Sequence, residues 1–273
     1  IKRECACLST VRKWSDVYNG EWLYRLIMAL DLNDKTSNGN TLTNSGATEW
    51  TTDFPFVQST EAVALASASS QFLYAADSAS LDITGAFTME GWVKFDTLPS
   101  AGNTMALFGK LRDDTNNRSY LLQLTNSAGE YRLRTVISSD GTYAAGNDVY
   151  VVWTPSTDTW YHIAVTYATT PVIKFYVNGA QQGTNQTPTA TSIFNSNSRF
   201  NLGAYNTETT ATLFLNGKLD DMRVWNVERT ITQIDTNRSI ELTGNETNLQ
   251  AYWPFETVLG GTTGELDLTS KNW

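Results

Sequence analysis

Cysteine is almost missing from this chain of 273 residues: there are two, Cys5 and Cys7, both close to the N-terminus. A structural zinc site takes four ligands, and the one histidine, His162, stands far from that C-x-C pair. The two thiols read as incidental to a tail, and no internal disulfide staples the rest. Charge is also sparse. Only 17% of residues are charged, and 19 Lys and Arg face 28 Asp and Glu, for a formal net charge of -9. Binding phosphates needs clustered cations, so nucleic acid and anionic membrane surfaces are excluded as partners, while cations and neutral sugars are not. Long hydrophobic runs are missing too. The longest early one, residues 26–30, is too short for a membrane span or a full signal peptide, so no membrane insertion is expected. Lys, Glu, Ala and Leu never build a long helical stretch. Because the chain opens on Ile and not Met, processing or a partial chain is expected.

What the chain does contain is strand material. Hydrophobic residues make up 41%, and nine Trp, twelve Tyr and eleven Phe supply enough buried area for a sizeable core. Thr, Ser, Asn and Gly punctuate short apolar runs throughout. The pattern predicts strands at 62–65, 72–75, 87–95, 105–109, 120–125, 131–137, 161–167, 173–177, 200–202, 217–225 and 249–255. In 87–95 the alternation puts Phe87, Met89, Val93 and Phe95 on one face, with Glu90, Trp92 and Lys94 on the other. That second face is expected to be exposed or covered by a second layer. Asn178-Gly179 is the pair favoured in a tight hairpin, because both central residues need positive φ. One short surface helix is expected at 228–237, where Ile231 and Ile234 have helical spacing.

Several of these segments, in this order, carry a resemblance. Phe87-Thr88-Met89-Glu90-Gly91-Trp92-Val93 resembles the Phe-Thr-x-x-x-Trp-Val strand of the laminin-G-like, concanavalin A-like lectin–glucanase jelly rolls, a superfamily that includes pentraxin-like sandwiches. Residues 160–167 and 174–179 resemble its central hairpin, and 214–226, with Gly217-Lys218-Leu219-Asp220-Asp221-Met222-Arg223, its Gly-x-Ile-Asp-Glu-Val-Arg strand. The resemblance covers roughly 25–256, most of the chain. It implies an all-β fold, a two-sheet antiparallel jelly-roll sandwich, flanked by an N-terminal extension at 1–24 and a C-terminal tail at 257–273.

The same resemblance implies Ca²⁺. Many members tie an early turn to the Asp of that strand through a calcium ion. Here the turn is 34–40, which departs from the family pattern at Ser37-Asn38, and the expected ligands are Asp34, Asn38, Asn40 and Asp220. The competing reading is that Asp34 and Asn38 serve turn geometry through local hydrogen bonds. A second acidic loop, 112–118, supplies Asp113, Asp114 and Asn117 as candidate ligand contacts, although a polar hairpin tip has this composition by default.

Catalysis is not expected. Glucanases of this jelly roll use a Glu-x-Asp-x-x-Glu strand to supply nucleophile and acid; the nearest match, Glu265-Leu266-Asp267, lacks the last Glu. Triad chemistry would depend on His162, which sits in a predicted strand where the family carries a structural histidine. Trp50, Trp153, Tyr143, Tyr150 and Tyr205 fall at or beyond strand edges and are candidate rings for stacking on a sugar. The expected function is therefore a non-catalytic recognition or adhesion domain, extracellular or on a cell or virion surface, that binds glycan or a surface protein and is stabilised by calcium. The alternative is a structural display scaffold of a virion or envelope. In that reading the arm 1–24, with Trp14, Tyr18, Trp22 and Tyr24, docks on neighbouring subunits. An accessory domain of a larger enzyme is a third reading. Sequons at Asn117, Asn185, Asn237 and Asn245 bear on function only in a eukaryotic secretory route.

Overall fold

Large apolar side chains at alternate positions need a partner surface, and two sheets supply it to each other. The computed structural model describes residues 28–113, 115–206 and 210–259. The arm 1–24 with its cysteines, Asp114, and the pair Glu265 and Asp267 lie outside the described residues. A first sheet runs in the spatial order Asp148–Val152, Glu130–Ile137, Asn117–Ser127, Thr104–Arg112, Phe200–Leu202, Phe72–Ala75, Leu42–Ser45, with Tyr205–Asn206 and Ala211–Thr212 added beside Thr104–Arg112. The second runs Ala180–Gln186, Val172–Val177, Trp160–Ala168, Phe87–Phe95, Gly217–Trp225, Ala62–Leu65, Glu49–Thr51, and Leu249–Trp253 also pairs with Gly217–Trp225. Met28–Leu30 and Thr257–Leu259, the latter in the expected tail, form a two-stranded sheet. The fold is the expected two-sheet antiparallel jelly-roll sandwich.

The inner faces share one core. Phe87 of the second sheet meets Tyr120 of the first at 5.2 Å between ring centroids, Tyr120 meets Phe200 at 6.3 Å, and Phe200 stacks on Trp253 at 5.7 Å. All four rings are buried, each contributing on the order of 2–3 kcal/mol by leaving water. Their polar atoms are satisfied locally: Tyr120 donates to the Leu81 carbonyl at 2.8 Å, and the Trp253 ring N–H to that of Asn40 at 2.8 Å.

The outer face of the second sheet is covered. Glu90 and Trp92 project there, as the alternation predicts, beneath the segment 226–248. The helix in that segment is Ile231–Asn237, three residues shorter at its start than expected. Thr230 accepts from the Gln233 N–H, and the Gln233 side chain reaches back to the Thr230 N–H, so this capping box sets the first turn. Ile234 packs on Ala164 and Tyr176, whereas Ile231 faces solvent. The strand expected to reach 255 stops at Trp253, because Pro254 has no N–H to give the ladder.

The hairpin at Asn178-Gly179 forms as predicted, with φ of 50° and 80°. A Cβ on Gly179 would stand 2.0 Å from a carboxylate oxygen of Asp235 on the covering helix. Gly179→Ala is expected to lose about 1–2 kcal/mol through left-handed backbone strain, read as a lower urea midpoint with an unchanged m-value.

Candidate ligand groove and the expected calcium turn

The outer face of the first sheet carries two depressions. In the first sheet Tyr120, Leu122, Leu124, Leu133, Ile137 and Val151 point into the core. Period two therefore turns Leu121, Gln123, Thr125, Arg132, Arg134, Val136, Asp148 and Tyr150 outward. Register aligns Gln123 with Arg134 and Arg134 with Tyr150 across three strands. The outward apolar side chains Ala106, Leu111, Leu121 and Val136 form a small cluster of their own, with Tyr205 packed on it.

Two depressions, of about 300 and 500 Å³, lie over this face and share Arg134 and Tyr143. The smaller is lined by Thr125, Ser127, Arg132, Asp148 and Tyr150 among others. The larger takes in Asp113, Arg118, Leu121, Val136, Tyr205 and Leu213. Together they make one groove with a polar half and an apolar half.

Tyr143 stands at the junction. The residue is 52% exposed, and its hydroxyl donates to Asp148 at 2.9 Å. Asp148 is in turn gripped by Arg134 through two parallel N–H donors, one at 2.5 Å. This pairing raises the Arg134 pKa, and the hydrogen bond to Asp148 raises that of Tyr143. The loop bearing Tyr143 is pinned at both ends. Ser138 donates to the Thr142 carbonyl at 2.7 Å, and the buried Asn147 side chain accepts from Thr189 and from the Ala190 N–H at 2.7 Å. An exposed ring held by such contacts is ordered before any ligand arrives, so little rotamer freedom is lost on binding. Tyr150 is partly occupied: the Arg132 guanidinium lies 4.2 Å from its ring centre, and Arg132 also donates to Glu130 at 2.7 Å.

Of the residues expected to contact ligand, Asp113, Tyr143 and Tyr205 line the groove. Asn117 does not. The strand begins earlier than predicted, at Asn117, whose buried amide pairs with Asn197. Trp153 is a core residue, edge-on to Tyr161 at 5.0 Å, and Trp50 is exposed on the edge strand Glu49–Thr51, away from the groove lining. Sequence reasoning passed over Arg132, Arg134 and Asp148. The alternation of 131–137 already places both arginines on the outward face; the link to Asp148 needs the strand register.

The expected calcium ligands separate into two environments. Asp34, Asn38 and Asn40 do come together, but around protein donors. The Asp34 carboxylate accepts from the backbone N–H groups of Thr36, Asn40 and Tyr252 at 2.9, 3.0 and 3.0 Å, from the Thr36 hydroxyl at 2.8 Å and from the Asn40 amide at 2.7 Å. Asn38 and Asn40 both donate to the Gln250 carbonyl, at 2.8 and 2.9 Å. Five donors around one carboxylate suit a turn anchor, the local hydrogen-bonding role weighed against an ion. Asp220 is elsewhere in function: one oxygen accepts from Ser59 at 2.7 Å and the other, fully buried, has no partner. Burial first, then the charges of Asp221 and Glu256, hold its carboxyl well above the usual range. Among the described residues no group of three or more His, Cys, Asp and Glu is placed to hold a metal.

The matching family model is that of the concanavalin A-like lectin/glucanases superfamily, over residues 67–235. The chain belongs to that superfamily. Similar solved structures include a proposed carbohydrate-binding protein from Bacteroides ovatus, 22% identical with a TM-score of 0.50, covering 62% of this chain and 45% of that one. Another is domain 4 of an extracellular arabinanase from Geobacillus stearothermophilus, solved with arabinotriose, 18% identical with a TM-score of 0.53, covering 77% and 98%. A third is the receptor-binding domain of botulinum neurotoxin type G, 12% identical with a TM-score of 0.55, covering 79% and 51%. The chain thus spans about half the length of the first and third. At these identities the likeness shows the fold alone. No curated protein matches the chain.

Because the folded pKa of Asp220 is raised above its unfolded value, its contribution to stability is present below about pH 4 and is lost as pH rises through the folded pKa. Asp220→Asn is therefore expected to raise the melting temperature at pH 7, with the gain vanishing in acid. The same melts run in excess calcium and in chelator test the expected ion: a calcium-dependent rise that is lost in Asp220→Asn places it at this carboxylate, and coincident melts of the parent chain count against it.

Proposed function

We propose that this domain is a non-catalytic glycan-binding module that works outside the cell or at a cell or particle surface, with the groove on the first sheet as its binding face. The observation that carries the reading is the triplet Tyr143–Asp148–Arg134: an exposed ring for the apolar face of a sugar, beside a fixed guanidinium and carboxylate for its hydroxyls. Supporting it, the arabinanase domain was solved with arabinotriose, and botulinum neurotoxin type C, whose binding structure is 11% identical with a TM-score of 0.54, enters cells through two gangliosides. Chemistry is disfavoured by the groove itself. Its carboxylates, Asp113 and Asp148, are each paired with an arginine. His162 is buried against Trp92, where burial and three nearby arginines depress its pKa well below the usual value. The display-scaffold reading rests on the arm 1–24, outside the described residues.

A glycan array probed with the parent chain and with Tyr143→Ala tests the assignment. The expected result is binding to a related set of glycans, weakened about tenfold in the variant, with the melting temperature unchanged. Equal binding by both chains would move the site away from this groove.

A further inference from the structure

Resting on the glycan-binding reading, we propose that the groove takes an uncharged glycan chain, laid across both halves, and rejects uronate and sulfated polymers. Three guanidiniums line it, and each already faces a carboxylate: Arg118 with Asp113, Arg132 with Glu130, Arg134 with Asp148. An acidic sugar is recognised when an arginine fork is free to take its carboxylate or sulfate in two bonds. Here the fork of Arg134 is spent on Asp148, through both its Nε and one terminal nitrogen. The described lining offers no unpaired cation, and the chain as a whole carries -9, which repels a polyanion before contact.

What remains suits hydroxyl groups, which both donate and accept. Each paired guanidinium keeps N–H groups on its outer edge, each carboxylate keeps lone pairs, and Gln123, Thr125 and Ser127 add neutral groups of both kinds. The apolar half, with Leu121, Val136 and Tyr205, receives the C–H face of the next unit. Because Tyr143 and Arg134 belong to both depressions, one chain placed over them contacts both halves.

Asp148 is the residue that sets this preference. Replacing it by Asn keeps the size and one acceptor while releasing a charged fork. The test is affinity electrophoresis of the folded chain in native gels containing neutral arabinan, xylan or laminarin, or acidic polygalacturonate, alginate or heparin. The parent chain is expected to be retarded by at least one neutral polymer, equally at low and high salt, and by none of the acidic ones. Asp148→Asn is expected to lose about tenfold in neutral binding and to gain retardation by polygalacturonate that salt abolishes. Should that variant unfold by circular dichroism, Asp113→Asn releases Arg118 at the loop and reads the same switch. Retardation of the parent chain by acidic polymers overturns the charge inference and leaves the glycan module standing. No retardation in any gel, together with a blank glycan array, overturns both.

Discussion

Glu90 is a carboxylate with no access to water, and the covering of the second sheet is built around the one of its oxygens, Oε1, that finds donors, while Oε2 has none. It sits on the outer face of the central strand Phe87–Phe95, where the alternation must place it, and receives the Trp225 ring N–H at 2.8 Å and Arg229 at 3.4 Å. Arg223, equally buried, ties Asp221 to the carbonyls of Asn237 and Ile240 at the end of the covering helix. Buried charge without such partners would cost several kcal/mol per ion. The segment 226–248 therefore cannot lift away from the second sheet cheaply, and Trp92 anchors it again through the Arg238 carbonyl at 2.6 Å. The central strands of the second sheet are thus covered on both faces, and the groove lies on the other sheet.

The turn at 34–40 shows a related economy. A terminal strand must be fastened to the sandwich, and this turn does so by hydrogen bonds. In this chain the Asp34 carboxylate fastens Leu249–Trp253 directly, by taking the Tyr252 N–H, while the asparagines hold the Gln250 carbonyl.

Much of this was legible in the sequence where large side chains alternate. Ala62–Leu65, Phe72–Ala75, Phe87–Phe95, Phe200–Leu202 and Gly217–Trp225 have the bounds their patterns predict, since each carries its own hydrophobic face. Leu42–Ser45, Glu49–Thr51 and Ala180–Gln186 were not legible, because short or polar strands at sheet edges are decided by the neighbour they pair with, and Asp148–Val152, although apolar, was passed over. The site divides in the same way. Tyr143, Tyr205 and Asp113 were within reach as aromatic or acidic groups between strands. Trp153 looked identical to them, yet its ring turns inward against Phe95. The bond between Arg134 and Asp148 depends on Asp148 lying opposite Val136, a register that no local pattern states.

The polar strand Ala180–Gln186 ends one sheet, and its pairing with Val172–Val177 slips between Ile173 and Phe175. Gly183, at φ 60°, bends it toward Val151 of the opposite sheet, where a Cβ would come within 2.8 Å. A kinked margin of Gln, Asn and Thr makes a poor template for a further strand from another molecule. That margin of the sheet is thereby guarded against edge-to-edge pairing with a second copy, the contact by which sandwiches zip into fibres.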